Sequence, residues 1–144
     1  MAEDFSARAN QDSKGWVKAM GLVFTEVTVE RVRCEWDVAE VHLQPYGIVH
    51  GGVYSGVIET VASVGAHLVA TQRGQRAVGL ENHTSFLRAV GSGRLRAEAL
   101  PLTVGRTSHV WEASITNAEG KLVARGTVRV LCIDEERKLG EPRP

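Results

Sequence analysis

The 144-residue sequence predicts an α+β fold in which one antiparallel sheet wraps around a single long central helix. Three observations carry this. Residues 53–71 form a long run of small and apolar residues whose only formal charge is Glu59. Two alternating, strand-like runs precede it and four follow it. No low-complexity linker or internal repeat interrupts the chain, so residues 1–144 read as one domain.

The elements follow in order. Residues 1–18 are polar, and 4–14 fit a short polar helix. "LVFTEVTV" and "RVRCEWDV" alternate, with Val27 and Val29 on one face of the first and Val32, Cys34 and Trp36 on one face of the second. "HLQPYG" is a loop punctuated by Pro45 and Gly47. In the helix, Gly74 just past the end and Arg73 in the last turn are stop signals. Gly56 and Gly65 cost it about 1 kcal/mol each relative to Ala, and allow another backbone to come close. A helix apolar on nearly every side should be covered on nearly every side. The remaining strands are "RAVGLENHTSFLR", "GRLRAEALPLTV", "TSHVWEASITN" and "KLVARGTVRVLCI". Asn117-Ala118-Glu119-Gly120 is a hairpin turn, and residues 90–93 and Gly105 are weaker turn signals. Trp111 and Phe86 are expected in the core or an interface. The tail after Asp134 is charged, contains proline and is expected to fray.

The totals exclude some classes of function. Composition is that of a globular protein, 43% hydrophobic and 24% charged. Lys+Arg and Asp+Glu are both 17, so no basic excess marks a nucleic-acid binder, while neutrality permits self-association. Cys34 and Cys132 are far apart in apolar runs and read as buried thiols, with no metal-ligand spacing. The N-terminus lacks the apolar core of a secretion signal, and no apolar stretch reaches the length of a membrane span. A cytoplasmic setting, no metal and no membrane are expected.

The chemistry concentrates in "YGIVHGGVYSGVIETVAS". His50, Gly51 and Gly52 precede the helix. The first amides of a helix have no internal partners and carry partial positive charge, so a glycine start suits an oxyanion or a polarised carbonyl. The triplet alone fits equally a Gly-rich helix start with a packed His. Glu59 falls about two turns into the helix, and Ser63 lies four residues further on the same face. Burying an unpaired carboxylate is expensive, which disfavours a purely structural Glu59 there. Gln44, in the loop before the triplet, could add an amide contact.

With these residues in view, "QPYGIVHGGVYSGVIETVAS" resembles the signature of hotdog-fold acyl-CoA thioesterases. It is most similar to the branch containing 4-hydroxybenzoyl-CoA thioesterase and the proofreading aryl-carrier-protein thioesterases. "AVGLENHTSFLRAVGSGRLRAEALPLTVGRTSHVWEASITNAEGKLVA" matches that branch in order and spacing, and the resemblance covers roughly residues 22–130. It implies a hotdog fold and hydrolysis of a thioester, on coenzyme A or a carrier protein, with an aromatic or compact acyl group. No cofactor is implied, since coenzyme A is part of the substrate.

The resemblance also implies roles. Glu59 matches the carboxylate that attacks the thioester or activates water, and Gly51 the backbone donor to its carbonyl. His50 and Gln44 match residues that position the thioester. Ser63 matches a residue that orients water beside the partner subunit's substrate. Arg88 and Thr107 match positions near the nucleotide, and Arg106 could meet a phosphate, its guanidinium suiting phosphate oxygens. Gly52, Asn82 and Ser85 are further substrate-binding candidates. His83 is favoured as a packing residue, and His67 and His109 receive no role. Hotdog chains pair sheet edges into homodimers with shared sites, and in this branch dimers join into homotetramers. Two rivals remain: a hotdog hydratase or dehydratase, and a non-catalytic acyl-CoA binding protein.

Overall fold

The computed structural model describes residues 1–136 and 139–140. Its architecture follows the alternation in the sequence. Strands β1 (Val23–Val27), β2 (Val32–Asp37), β3 (Gln75–Phe86), β4 (Arg94–Val104), β5 (Ser108–Thr116) and β6 (Leu122–Asp134) form one antiparallel sheet in the order β1-β2-β4-β5-β6-β3. Val32, Cys34 and Trp36 of β2, Leu95, Ala97 and Ala99 of β4, and Trp111, Ala113 and Ile115 of β5 point inward and are buried. The intervening residues point outward and pair across strands, as Arg33 with Glu98 at 2.6 Å and Arg94 with Glu35 at 2.8 Å. Such half-exposed pairs add little stability, so the outer face is mainly a solvated one. Arg125 and Glu112 make a further pair there.

The central helix, α3 (Gly51–Thr71), lies across the inner face. It begins two residues before the expected Val53. Its buried positions come in adjacent pairs every four residues: Val53/Tyr54, Val57/Ile58, Val61/Ala62, Gly65/Ala66 and Val69/Ala70. That is one broad stripe, so the helix is not covered all round as its composition suggested. Small residues, not large apolar ones, fill much of the open side. Against expectation it is also 21 residues long and apolar enough to pass for a membrane span, yet that apolarity is accounted for by packing on the sheet. Arg73 lies past the helix rather than in its last turn. Gly74 takes φ +66°, as a stop residue should. What approaches the helix glycines is not backbone. The indole of Trp111, fully buried, rests on Gly65, and that of Trp16 rests on Gly56.

The N-terminal segment holds two helices instead of one, α1 (Ser6–Gln11) and α2 (Gly15–Ala19), with Gly15 at φ +57° making the break. α1 closes the free edge of β1. Asn10 exchanges both of its amide hydrogen bonds with the backbone of Phe24, at 2.9 and 2.8 Å. The Val27 amide donates to Asp4 Oδ1 at 2.9 Å, and the Phe5 amide donates to the Val27 carbonyl at 2.8 Å. The Val27 amide, and after it the Ser6 amide at 2.8 Å, hold the Asp4 carboxyl below its ordinary pKa. A strand edge that would otherwise pair with another chain is thereby blunted. The other edge, β3, has no partner strand on its outer side among the described residues.

The 117–120 hairpin turn forms as expected, with Gly120 at φ +77° and Asn117 Oδ1 accepting from the amides of Glu119 and Lys121. Cys34 and Cys132 are buried free thiols, and burial pushes the Cys34 thiol up to about 12. Trp111 lies in the core, whereas Phe86 is exposed. Most of the tail expected to fray lies outside the described residues.

Candidate active site

The start of α3 is shaped by His50. Its backbone is extended, and its Nδ1 accepts from the Gly52 amide at 2.8 Å, making a histidine N-cap. Accepting at Nδ1 leaves the proton on Nε2, so the exposed ring edge is a donor. A side chain on Gly52 would crowd that ring. The Val53 amide is taken by the His50 carbonyl at 2.9 Å. The Gly51 amide, which precedes these two, has no acceptor among the described residues. It is the polarised, unpartnered donor that the glycine start suggested.

The loop before the helix is pinned from behind. The His50 amide donates to the carbonyl of His42 at 2.9 Å. His42 is buried and uses both ring nitrogens, accepting from the Ala39 amide and donating to the Met20 carbonyl, each at 2.8 Å. Gln44 turns its side-chain oxygen back onto the Tyr46 amide, and Gly47 closes the turn at φ +78°. A cleft of about 390 Å³ opens beside the helix start, lined by Gln44, Ile48, Gly51, Tyr54, Phe86 and Arg88 among others. The predicted residues Gln44, Gly51 and Arg88 therefore share one wall system. The Phe86 ring lies on Gly51, where a β-carbon would overlap it. Burial pushes the Tyr54 hydroxyl up to about 12, and it has no partner among the described residues.

Glu59 is half-buried rather than fully enclosed, on the flank of α3 beside β3. Its two oxygens are held separately. Ser63 Oγ donates to Oε1 at 3.2 Å, and Asn82 Nδ2 donates to Oε2 at 3.0 Å. Asn82 is itself oriented, since Thr84 Oγ1 donates to its Oδ1 at 2.7 Å and its Nδ2 also reaches the Ser55 carbonyl at 3.0 Å. Asn82 thus appears as a partner of the carboxylate, a role the sequence did not suggest. Gly79 was missed altogether. Any β-carbon there would overlap Glu59 Oε1. Next to it the β3–β6 register slips between Gly79 and Glu81, a bulge of the kind that re-aims side chains near functional sites. The visible signal was a lone glycine inside an alternating run.

Other candidates lie apart. Asn82, Thr84 and Phe86 face the helix, so alternation sends His83 and Ser85 to the outer face of the sheet, where both line a shallow depression with Arg125. His83 is exposed there instead of packed, because β3 is an edge strand. Arg106 and Thr107 sit in the β4–β5 turn, where their carbonyls accept from Gln75 Nε2 and the Cys132 amide. That is the opposite end of β3 from Arg88, about 36 Å away for a 12-residue strand. His67 is exposed, and His109 is buried with Nε2 at 3.4 Å from Cys132 Sγ. Among the described residues no group of three His, Cys, Asp or Glu could hold a metal.

An antiparallel sheet packed on one long helix, with a capped glycine start and a carboxylate two turns in, defines a hotdog fold of the thioesterase type. Comparison with known proteins bears this out. The solved structure of thioesterase HI1161 from Haemophilus influenzae superposes with a TM-score of 0.86 at 28% identity, over 93% of this chain and 94% of that one. Protein Rv1847 of Mycobacterium tuberculosis, which carries an esterase name, is 40% identical over 77% of this chain and 81% of its own length. Its structure superposes with a TM-score of 0.81, covering 90% and 98% of the two chains. The proofreading thioesterase EntH of Klebsiella pneumoniae is 33% identical over 80% of this chain and 84% of its own. The profile of the thioesterase superfamily matches residues 46–124. The chain belongs to the thioesterase superfamily, and that membership supports hydrolysis of thioesters.

Proposed function

We propose that this protein hydrolyses acyl-CoA thioesters with aromatic or otherwise compact acyl groups, in sites shared between two copies of the chain. One observation carries the shared site. Gly51 and Glu59 lie eight residues apart on one helix, so the free amide and the carboxylate are separated by about 12 Å along its axis. Both cannot reach one carbonyl from the same chain. A second copy joined along the open β3 edge, beside which Glu59 lies, would bring one chain's carboxylate to the other's amide.

In that site the carbonyl oxygen accepts from the Gly51 amide, which stabilises the charge that grows on it. Glu59 takes a proton from a water held at Ser63, and the hydroxide adds to the carbonyl carbon. The tetrahedral intermediate collapses, breaking the C–S bond, and the proton passes to the thiolate. Both carboxylate oxygens already hold donors, which supports a base over a direct nucleophile. His50 Nε2–H and Gln44 line the approach. Arg88 at one end of β3 and Arg106 at the other would meet phosphates from different copies. That arrangement supports a CoA ester over a carrier-protein ester, which lacks the adenosine phosphates.

The test is complementation. Glu59→Ala removes the base. In a Phe86→Ala background, which clears the ring that a β-carbon at 51 would overlap, Gly51→Pro removes the amide donor at a helix position where proline is tolerated, with Phe86→Ala alone as its control. Each alone should lose at least about 100-fold in kcat for thiol release. Mixed after dissociation, they should regain about a quarter of wild-type activity, since half the dimers are hybrids with one intact site. No recovery in proven hybrids would rule out sharing. Near-normal turnover by Glu59→Ala would rule out the role of Glu59.

A further inference from the structure

The solvent side of α3 carries an aromatic residue that the hydrolytic machinery does not use. The six-membered ring of Trp16 lies on Gly56, where a β-carbon would overlap it. Trp16 remains 42% exposed, whereas Trp36 and Trp111 are 2% and 0% exposed. An indole with that much open surface gains little of the burial that usually retains a tryptophan.

Its seat is nevertheless built. α2, which carries Trp16, is followed by Met20, whose carbonyl accepts from the buried ring of His42, in the loop leading to His50. Gly56 gives up helix propensity to admit the ring. Thr60, one turn on, spends its hydroxyl on the Gly56 carbonyl at 2.7 Å. Gly56 and Glu59 are three residues apart, hence neighbours on the helix surface. The open indole and the carboxylate therefore flank one strip of α3.

We propose that Trp16 is a wall of the acyl site and determines specificity, its indole stacking on a planar acyl group whose carbonyl carbon sits at Glu59. The inference rests on the thioester hydrolysis proposed above. Ring-on-ring stacking adds to area burial, so an aryl group gains more from the indole than an alkyl chain of similar size.

The experiment compares Trp16→Leu and Trp16→Phe with wild type on benzoyl-CoA and hexanoyl-CoA, with folding checked by circular dichroism. Trp16→Leu should lower kcat/KM for benzoyl-CoA by about tenfold, with a loss at least about threefold smaller on hexanoyl-CoA, and Trp16→Phe should recover most of it. Equal losses on both esters, or none on benzoyl-CoA, overturn the proposal. In parallel, the non-hydrolysable thioether phenacyl-CoA is added to Glu59→Gln. It should shield the accessible tryptophan from acrylamide quenching, and the absence of shielding also overturns the proposal. If no ester releases thiol while phenacyl-CoA still shields the indole, hydrolysis fails and the contact with Trp16 stands.

Discussion

Gly79→Ala should inactivate the protein without unfolding it. The added methyl would overlap Glu59 Oε1, the oxygen that Ser63 holds at 3.2 Å. What must give is the far end of a flexible side chain, whose Cδ lies 3.5 Å from the new carbon. Stability should change little. Gly79 has no left-handed backbone angle, so alanine is tolerated and restricts the unfolded chain, a gain of about 0.4–1 kcal/mol. Against that stands one hydrogen bond to a charged group, about 1.5–3 kcal/mol if fully lost and less if it re-forms. Catalysis should suffer more. Displacing a reacting group by on the order of 1 Å costs about 100-fold in rate. Gly65→Ala is the control, because its methyl would meet the fully buried Trp111 ring, which has nowhere to go. Overpacking there should cost about 1–3 kcal/mol. Thiol-release kinetics and thermal melts on the two variants separate the effects. A Gly79→Ala protein with wild-type kcat, or one as destabilised as Gly65→Ala, would refute the reasoning.

Three further outcomes follow from the same contacts. Asn10→Ala should cost about 1–3 kcal/mol in denaturant melts, because it strips both backbone bonds from the β1 edge at Phe24; an unchanged midpoint would mean α1 does not seal that edge. Asp4 has a lowered folded pKa, so its stabilisation is complete above the ordinary aspartate value and fades as pH falls through the lowered one; Asp4→Asn should flatten that acid limb of Tm against pH, and an unaltered limb would remove Asp4 from the account. Tyr54→Phe should be neutral or stabilising by up to about 1 kcal/mol, since the buried hydroxyl has no partner among the described residues, and a loss above about 1 kcal/mol would refute this.

The fold was legible because its signals are periodic. Val32, Cys34 and Trp36 announce a half-buried strand by alternation alone, and Asn117 with Gly120 announces the hairpin by turn chemistry. The Gly51 amide and the Glu59–Ser63 pair were legible for a related reason, since a helix start and an i,i+4 spacing are local geometry. Gly79 and Asn82 were not, because their meaning depends on which strand the helix lies against. The paired burial pattern of α3 was hidden as well. Small residues such as Ser55, Gly56 and Ser63 read as interior by composition, yet they line the open flank.

The spacing between Gly51 and Glu59 is informative beyond either residue. At four residues apart the carboxylate would stand about 6 Å along the axis from the donor, close enough to serve one carbonyl and to compete for the amide itself. At eight it cannot quench the donor, and the amide has no partner among the described residues. On the function proposed above, neither group would then complete a site alone. The two edges of the chain's own sheet differ in the same sense, β1 sealed by Asn10 and Asp4, β3, beside Glu59, without an outer partner strand among the described residues. A sequence that blunts one edge with dedicated side chains has the means to blunt the other. Leaving open the edge nearest the carboxylate is what a site completed by a second copy requires.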